Sequence, residues 1–154
     1  MSVEKDLLAE PIRNFKLDDY CIVTPSTTVR ETIERMQAKD KHTAFVVGDH
    51  TVLQGILTDR DVMRKVMNAD VWDKPITDVM TPEPITLKLD SSAGEALRLM
   101  DDKGFRNVPV VNEKGAPIGN LTYFSLVDYL SGAFQKVVLN APPTSHFTTA
   151  RDGG

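Results

Sequence analysis

The stretch Gly55-Ile56-Leu57-Thr58-Asp59-Arg60-Asp61 decides how this chain is read. An apolar run ends there in a threonine flanked by acids. Sixty-four residues further on stands Gly119-Asn120-Leu121-Thr122-Tyr123-Phe124-Ser125, with the same glycine, leucine and threonine at the same spacing. Laid on itself at that offset, Pro11–Arg64 falls on Pro75–Asp128 without a gap, and ten of the 54 positions are identical. About 3 identities would arise by chance at ordinary composition. The unbroken register matters more than the count, because the matches fall on one repeating order of elements.

Each copy begins with an extended piece, Tyr20–Thr24 and then Pro84–Leu89. A helix follows, with apolar positions Val29, Ile33 and Met36 in the first copy and Ala93, Ala96, Leu97 and Met100 in the second. Both helices open on a capping box, Thr28-x-x-Glu31 and Ser92-x-x-Glu95. The runs Ala44–Val47 and Val108–Val111 read as buried strands. Val52–Leu57 and Pro117–Leu121 read as the strands after them, and helices Asp59–Met67 and Tyr123–Leu130 close the copies. The fold class is therefore α+β, with the order β-α-β-β-α occurring twice. Two such units are too few for a solenoid, so they pack face to face about a pseudo-twofold axis. The expected divisions are an N-terminal helix over 1–10, a first repeat over 11–68, a connector over 69–74, a second repeat over 75–132 and a loosely ordered tail over 133–154. Trp72, the one tryptophan, reads as a packing residue of the connector.

The 154 residues carry a net charge of -4, with 41% hydrophobic and 26% charged residues, as in an ordinary soluble globular protein. The acidic balance argues against nucleic acid as a partner. One cysteine, Cys21, excludes an internal disulfide and fits a cytoplasmic setting. No signal core or membrane-length apolar run is present, so no membrane partner is expected.

The chemistry concentrates after the third strand of the first copy. Thr58 as N-cap and Asp61 three residues on form a capping box in one reading. In another, the same atoms face a ligand: a helix N-terminus and the Thr58 hydroxyl toward a phosphate, the Asp61 carboxylate toward a ribose diol. Gly55 lets the backbone approach something closely. In the second copy the acid is replaced by Ser125, which is shorter and uncharged, so any second cleft binds more weakly.

This pattern resembles a tandem pair of CBS domains, the Bateman module. The resemblance rests on G-x-x-T-x-x-D after the third strand, on Asp78-Val79-Met80-Thr81-Pro82, and on Phe105-Arg106-Asn107-Val108-Pro109-Val110-Val111. It covers about residues 11–132. The first copy diverges, with Phe15 where Val79 stands and Phe45 where Pro109 stands. The resemblance implies a stand-alone regulatory module that senses an adenosine-containing ligand, AMP, ADP, ATP or S-adenosylmethionine, between the repeats. Thr58 and Asp61 would hold the phosphate side and ribose, and Ile56 would line the adenine pocket. Pro84 and Ile85 would come from the partner repeat, together with Arg106, the best phosphate-facing cation, and Pro109. His42 is the counterpart of Arg106. Thr122, Ser125 and Cys21 would mark the weaker second cleft. His42 also reads as a surface histidine, and Arg106 as one half of a salt bridge. The resemblance further implies a disc-shaped homodimer that signals to an effector protein. Apolar helix faces around Val62, Val66 and Met67, or Leu126, Val127 and Leu130, are consistent with that dimer.

No catalytic residues are assigned, because no nucleophile elbow or Walker motif occurs and Cys21 lies in an apolar stretch. No metal site is assigned either: Asp59-x-Asp61 alone is a weak ligand pair, although Mg2+ could arrive with a polyphosphate. The alternative reading is an interaction or dimerisation module that binds no ligand, which the changes at Ser125 and Phe45 favour slightly.

Overall fold

The structure, a computed structural model, describes residues 3–67 and 69–140. The element order is α1 (Val3–Ala9), β1 (Cys21–Val23), α2 (Val29–Ala38), β2 (Thr43–Val47), β3 (Leu53–Thr58), α3 (Asp59–Asp61), β4 (Thr81–Pro82), α4 (Ala93–Lys103), β5 (Asn107–Val111), β6 (Pro117–Thr122) and α5 (Tyr123–Asn140). Short 3-10 turns open each repeat at Ile12–Asn14 and Ile76–Asp78. The N-cap half of each capping box read from the sequence forms: Thr28 Oγ1 accepts from Glu31 N at 3.1 Å, and Ser92 Oγ accepts from Glu95 N at 3.2 Å. Helix α4 stops at Gly104, whose φ of 72° is the left-handed conformation that favours glycine.

In the first sheet β1 runs parallel to β2, β2 pairs antiparallel with β3, and β4 adds to the outer edge of β3. The second sheet is β5 with β6. Both hairpins carry the same register shift, between Val46 and Val47 and between Val110 and Val111. The extended piece expected over Pro84–Leu89 pairs with β5 only at Leu87, whose N donates to Pro109 O at 2.9 Å and whose O accepts from Val111 N at 2.9 Å. In a parallel ladder, the donor that would hold Ile85 is the N–H at position 109, and proline has none. Ile85 is therefore 42% exposed, whereas its counterpart Cys21 is 4% exposed.

The packing unit is not the sequence repeat. Ile12 and Phe15 lie in the core of the second repeat, with Ala96, Val108, Leu121 and Leu126. Ile76 and Val79 lie in the core of the first, with Val29, Ala44, Leu57 and Val66. The backbone exchange is symmetric: Ile12 N donates to Ser91 O at 2.9 Å and Ile76 N to Thr27 O at 2.8 Å. Likewise Ala93 N donates to Glu10 O at 2.8 Å and Val29 N to Lys74 O at 2.9 Å. Each repeat thus closes its core with the leader of the other. Fully burying one such isoleucine contributes about 1.5–3 kcal/mol. The glycine at 55 serves this exchange too, since a Cβ there would run into the Met80 side chain.

Two helices depart from the expected spans. After one α turn, α3 continues as a π-helical stretch over Val62–Val66 rather than as an α-helix to Met67. Helix α5 runs past Leu130 to Asn140, because no proline interrupts it before Pro142; residues 133–140 are helix rather than tail, and 141–154 lie outside the described residues. The apolar faces also need correction. Val66 and Leu126 are fully buried core, because they point back onto the sheets, and Val62 and Leu130 are half-buried. The side chains left outward are Met63, Met67, Phe124 and Val127. Trp72 packs against the first core, with the Arg30 guanidinium 5.5 Å from its ring centroid.

Candidate functional site

A cavity of about 490 Å³ opens between the repeats. From the first repeat it takes Ile56 and Thr58 at the end of β3, Asp61 on α3, and His42 just before β2. From the second it takes Pro84 and Ile85, which the missing ladder bond leaves off the sheet, with Arg106 and Pro109 around the start of β5. All eight residues named for the main cleft therefore line one cavity. Sequence reasoning missed Asp59, Arg60, Arg64 and Lys103, which line it as well. Arg60 and Arg64 carried a usable signal, the i,i+4 spacing that puts two side chains on one helix face.

The capping-box reading of Thr58 and Asp61 is the one the structure shows. Thr58 N donates to Asp61 Oδ2 at 3.0 Å, the Thr58 hydroxyl donates to the same oxygen at 3.2 Å, and Asp61 N donates to Thr58 Oγ1 at 3.3 Å. The box engages Oδ2, while Oδ1 lies 3.7 Å from Lys65 Nζ. The helix N-terminus adds little, because α3 has a single α turn and its Asp61 N–H is already used.

His42 is held by one carboxylate: its N donates to Asp19 Oδ1 at 2.9 Å and its Nδ1 lies 3.0 Å from Asp19 Oδ2. The hydrogen bond to Asp19, and then its charge, hold the His42 pKa above the ordinary value. Burial raises the Asp59 pKa, and the nearby His42 works against that rise. Arg106 makes no ion pair among the described residues; its guanidinium lies over the Tyr123 ring, 4.5 Å from the centroid. Arg60 Nη1 donates across the mouth of the cavity to Gly104 O at 3.3 Å, linking the two repeats.

The second cleft is built from different side chains. Tyr20, in the place of Pro84, stacks on Phe45, in the place of Pro109, with ring centroids 4.8 Å apart. Asn120, in the place of Ile56, is fully buried and donates to Asp19 O at 2.9 Å and Asn107 Oδ1 at 3.1 Å. Thr122 and Ser125 bond to each other at 3.1 Å, and the Ser125 hydroxyl donates to Lys16 O at 2.8 Å. Cys21 lies apart from them, against an open hollow lined also by Leu17, Tyr20, Lys39, Lys41 and Ile118. The structure does not bring Thr122, Ser125 and Cys21 into one cavity. Burial raises the Cys21 pKa and keeps the thiol neutral, as suits a packing residue. Among the described residues, no three His, Cys, Asp or Glu side chains gather into a possible metal site, and no helix is long and apolar enough to cross a membrane.

Two leader-exchanged β-α-β-β-α units with a cavity between them define a paired α+β module. The sequence matches the CBS domain family over residues 12–68 and 76–132, and the chain belongs to that family. It is 35% identical over 112 residues to CBS domain-containing protein CBSCBSPB5 of Arabidopsis thaliana. That match takes in 71% of this chain but only 20% of the relative, so the chain spans about a fifth of that protein. The solved structure of CBSX2 in complex with AMP superposes with a TM-score of 0.67 at 25% identity, over 80% of this chain and 97% of that one. The cytosolic domain of the Mg2+ channel MgtE in complex with ATP superposes with a TM-score of 0.61 at 28% identity, over 72% of this chain and 45% of that one.

Proposed function

We propose that this chain is a regulatory module that binds an adenosine-containing ligand (AMP, ADP, ATP or S-adenosylmethionine) in the cavity beside Asp61. The observation that carries the reading is the convergence of Ile56, Thr58 and Asp61 from one repeat with Pro84, Ile85, Arg106 and Pro109 from the other on one open cavity. CBSX2 with AMP and MgtE with ATP support the same ligand class. Asp61 would accept from the ribose hydroxyls through Oδ1, and Thr58 and His42 would face the phosphate side together with Arg106. Ile56, Pro84 and Ile85 would enclose the base. Mg2+ would enter only with a polyphosphate.

A ligand touching both repeats can shift their relative orientation only by its differential affinity for the two arrangements. Coupling of about 1–3 kcal/mol is typical. The outward face of Met63, Met67, Phe124 and Val127 would carry the output, as a homodimer contact or as a surface for an effector protein. That face also favours the second reading, an interaction module indifferent to nucleotides.

Thermal unfolding separates the two. Under the sensing reading, at least one of AMP, ADP, ATP and S-adenosylmethionine raises the melting temperature of the protein, since a ligand bound only by the folded state stabilises it. The rise disappears in Asp61→Ala. Asp61→Asn, which keeps an acceptor for the Thr58 cap, separates loss of ligand from loss of fold. No shift with any ligand supports the interaction module.

A further inference from the structure

We infer that the cleft selects a nucleoside di- or triphosphate over a nucleoside monophosphate, and rejects the sulfonium cation of S-adenosylmethionine. This rests on the adenosine-ligand reading above and specifies its anionic end. The cavity is lined by four basic side chains, Arg60, Arg64, Lys103 and Arg106, against two carboxylates, Asp59 and Asp61. The chain as a whole carries a net charge of -4, so the local excess runs against the global balance. One of the two carboxylates, Asp61, is further offset by Lys65 at 3.7 Å.

The second repeat serves as an internal control. At the same offset, Arg60 becomes Phe124 and Arg64 becomes Asp128. The second cleft, where Tyr20, Phe45 and Asn120 stand for Pro84, Pro109 and Ile56, has lost both guanidiniums, and the Asp61 cleft has kept them. Placement points the same way. Arg60 and Arg64 approach from the helix of the first repeat, and Lys103 and Arg106 from the α4–β5 connection of the second. The Arg60 guanidinium already reaches Gly104 O of that connection at 3.3 Å. A single phosphate next to the ribose offers these cations one anionic group. A chain of two or three phosphates can extend between them, each adding negative charge and acceptor oxygens for charge-assisted hydrogen bonds. A sulfonium with an amino-acid tail brings positive charge into the same space and is repelled.

The test is isothermal titration of AMP, ADP, ATP and S-adenosylmethionine into the full chain at fixed salt, with ATP measured both with and without Mg2+. ADP or ATP should bind at least about tenfold more tightly than AMP, the scale of one added charge-assisted contact, and S-adenosylmethionine should bind more weakly than AMP. In an Arg60→Ala, Arg64→Ala double variant, confirmed as folded by its unfolding transition, the ratio of ATP to AMP affinity should collapse toward unity. Saturable binding in which AMP or S-adenosylmethionine equals or exceeds both polyphosphates overturns this inference and leaves the adenosine reading standing. So does a ratio that survives the double variant. Absence of saturable binding by all four overturns both.

Discussion

The Thr43 hydroxyl donates to Asn107 Oδ1 at 3.1 Å, and the two residues occupy the same position in the two repeats. The bond therefore lies on the pseudo-twofold axis itself. Asn107 Oδ1 also accepts from Asn120 Nδ2 at 3.1 Å, and Asn120 Nδ2 in turn reaches Asp19 O at 2.9 Å. Thr43 and Asn120 are fully buried. A polar thread thus ties the Asp61 side of the molecule, where Asn107 lines the cavity, to the side of the second cleft.

Asn107→Leu should lower stability by about 1–3 kcal/mol, because it leaves the buried Thr43 hydroxyl and one Asn120 amide hydrogen without an acceptor. Urea unfolding measures the loss. An unchanged midpoint would mean that these groups find other partners.

The exchanged leaders make a second prediction. Ile76→Ala should destabilise the protein by about 2–5 kcal/mol, the usual range for a buried isoleucine truncated to alanine. The isolated stretch 11–68 should fail to fold, because the core it contributes to is closed by Ile76 and Val79. Amide exchange on that fragment reads the result; native-like protection would show that the sequence repeat is self-sufficient.

Gly119 faces Leu17, and a Cβ at position 119 would lie 2.9 Å from the Leu17 Cβ. Gly119→Ala should cost about 1–3 kcal/mol through overpacking. A paired Leu17→Gly, which removes that Cβ, should relieve the clash, so the double variant should be less destabilised than the two single losses combined.

His42 offers a pH dependence whose sign is determined by Asp19. Its folded-state pKa is raised above the ordinary 6.5, so the His42–Asp19 pair contributes stability that is fully present below that value and fades as pH rises through the folded pKa. The side chain is largely exposed, so the stability effect is small. The clearer readout is the imidazole resonance in an NMR titration, which should titrate above 6.5 and move down in Asp19→Asn. Affinity for an anionic ligand should fall over the same rise in pH.

Much of this was legible in the sequence, because the repeat supplied its own alignment. The caps at Thr28, Ser92 and Thr58, the buried β2 and β5, and the cluster of Ile56, Thr58, Asp61 and Arg106 all follow from local pattern and from the family resemblance. What local pattern could not show is nonlocal. The apolar residues of the leaders, Ile12 and Ile76, look like members of their own repeats, and nothing in their spacing says that each crosses to the other. Pro109 was visible as a residue, but its effect on Ile85 depends on a ladder bond made by a different segment. Val66 and Leu126 look like interface candidates on a helix wheel, and only the direction in which α3 and α5 pack assigns them to the core. The rebuilding of the second cleft needs Tyr20, Phe45 and Asn120 together, drawn from three segments.

The most direct test of the account is the stoichiometry of ATP binding by equilibrium dialysis of the purified chain, shown first to be free of co-purified nucleotide. The account predicts saturation at one ATP per chain, in the Asp61 cleft alone, with binding abolished by Asp61→Ala and retained when Ser125 is changed to alanine. Saturation at two per chain, or no saturable binding at all, would contradict it.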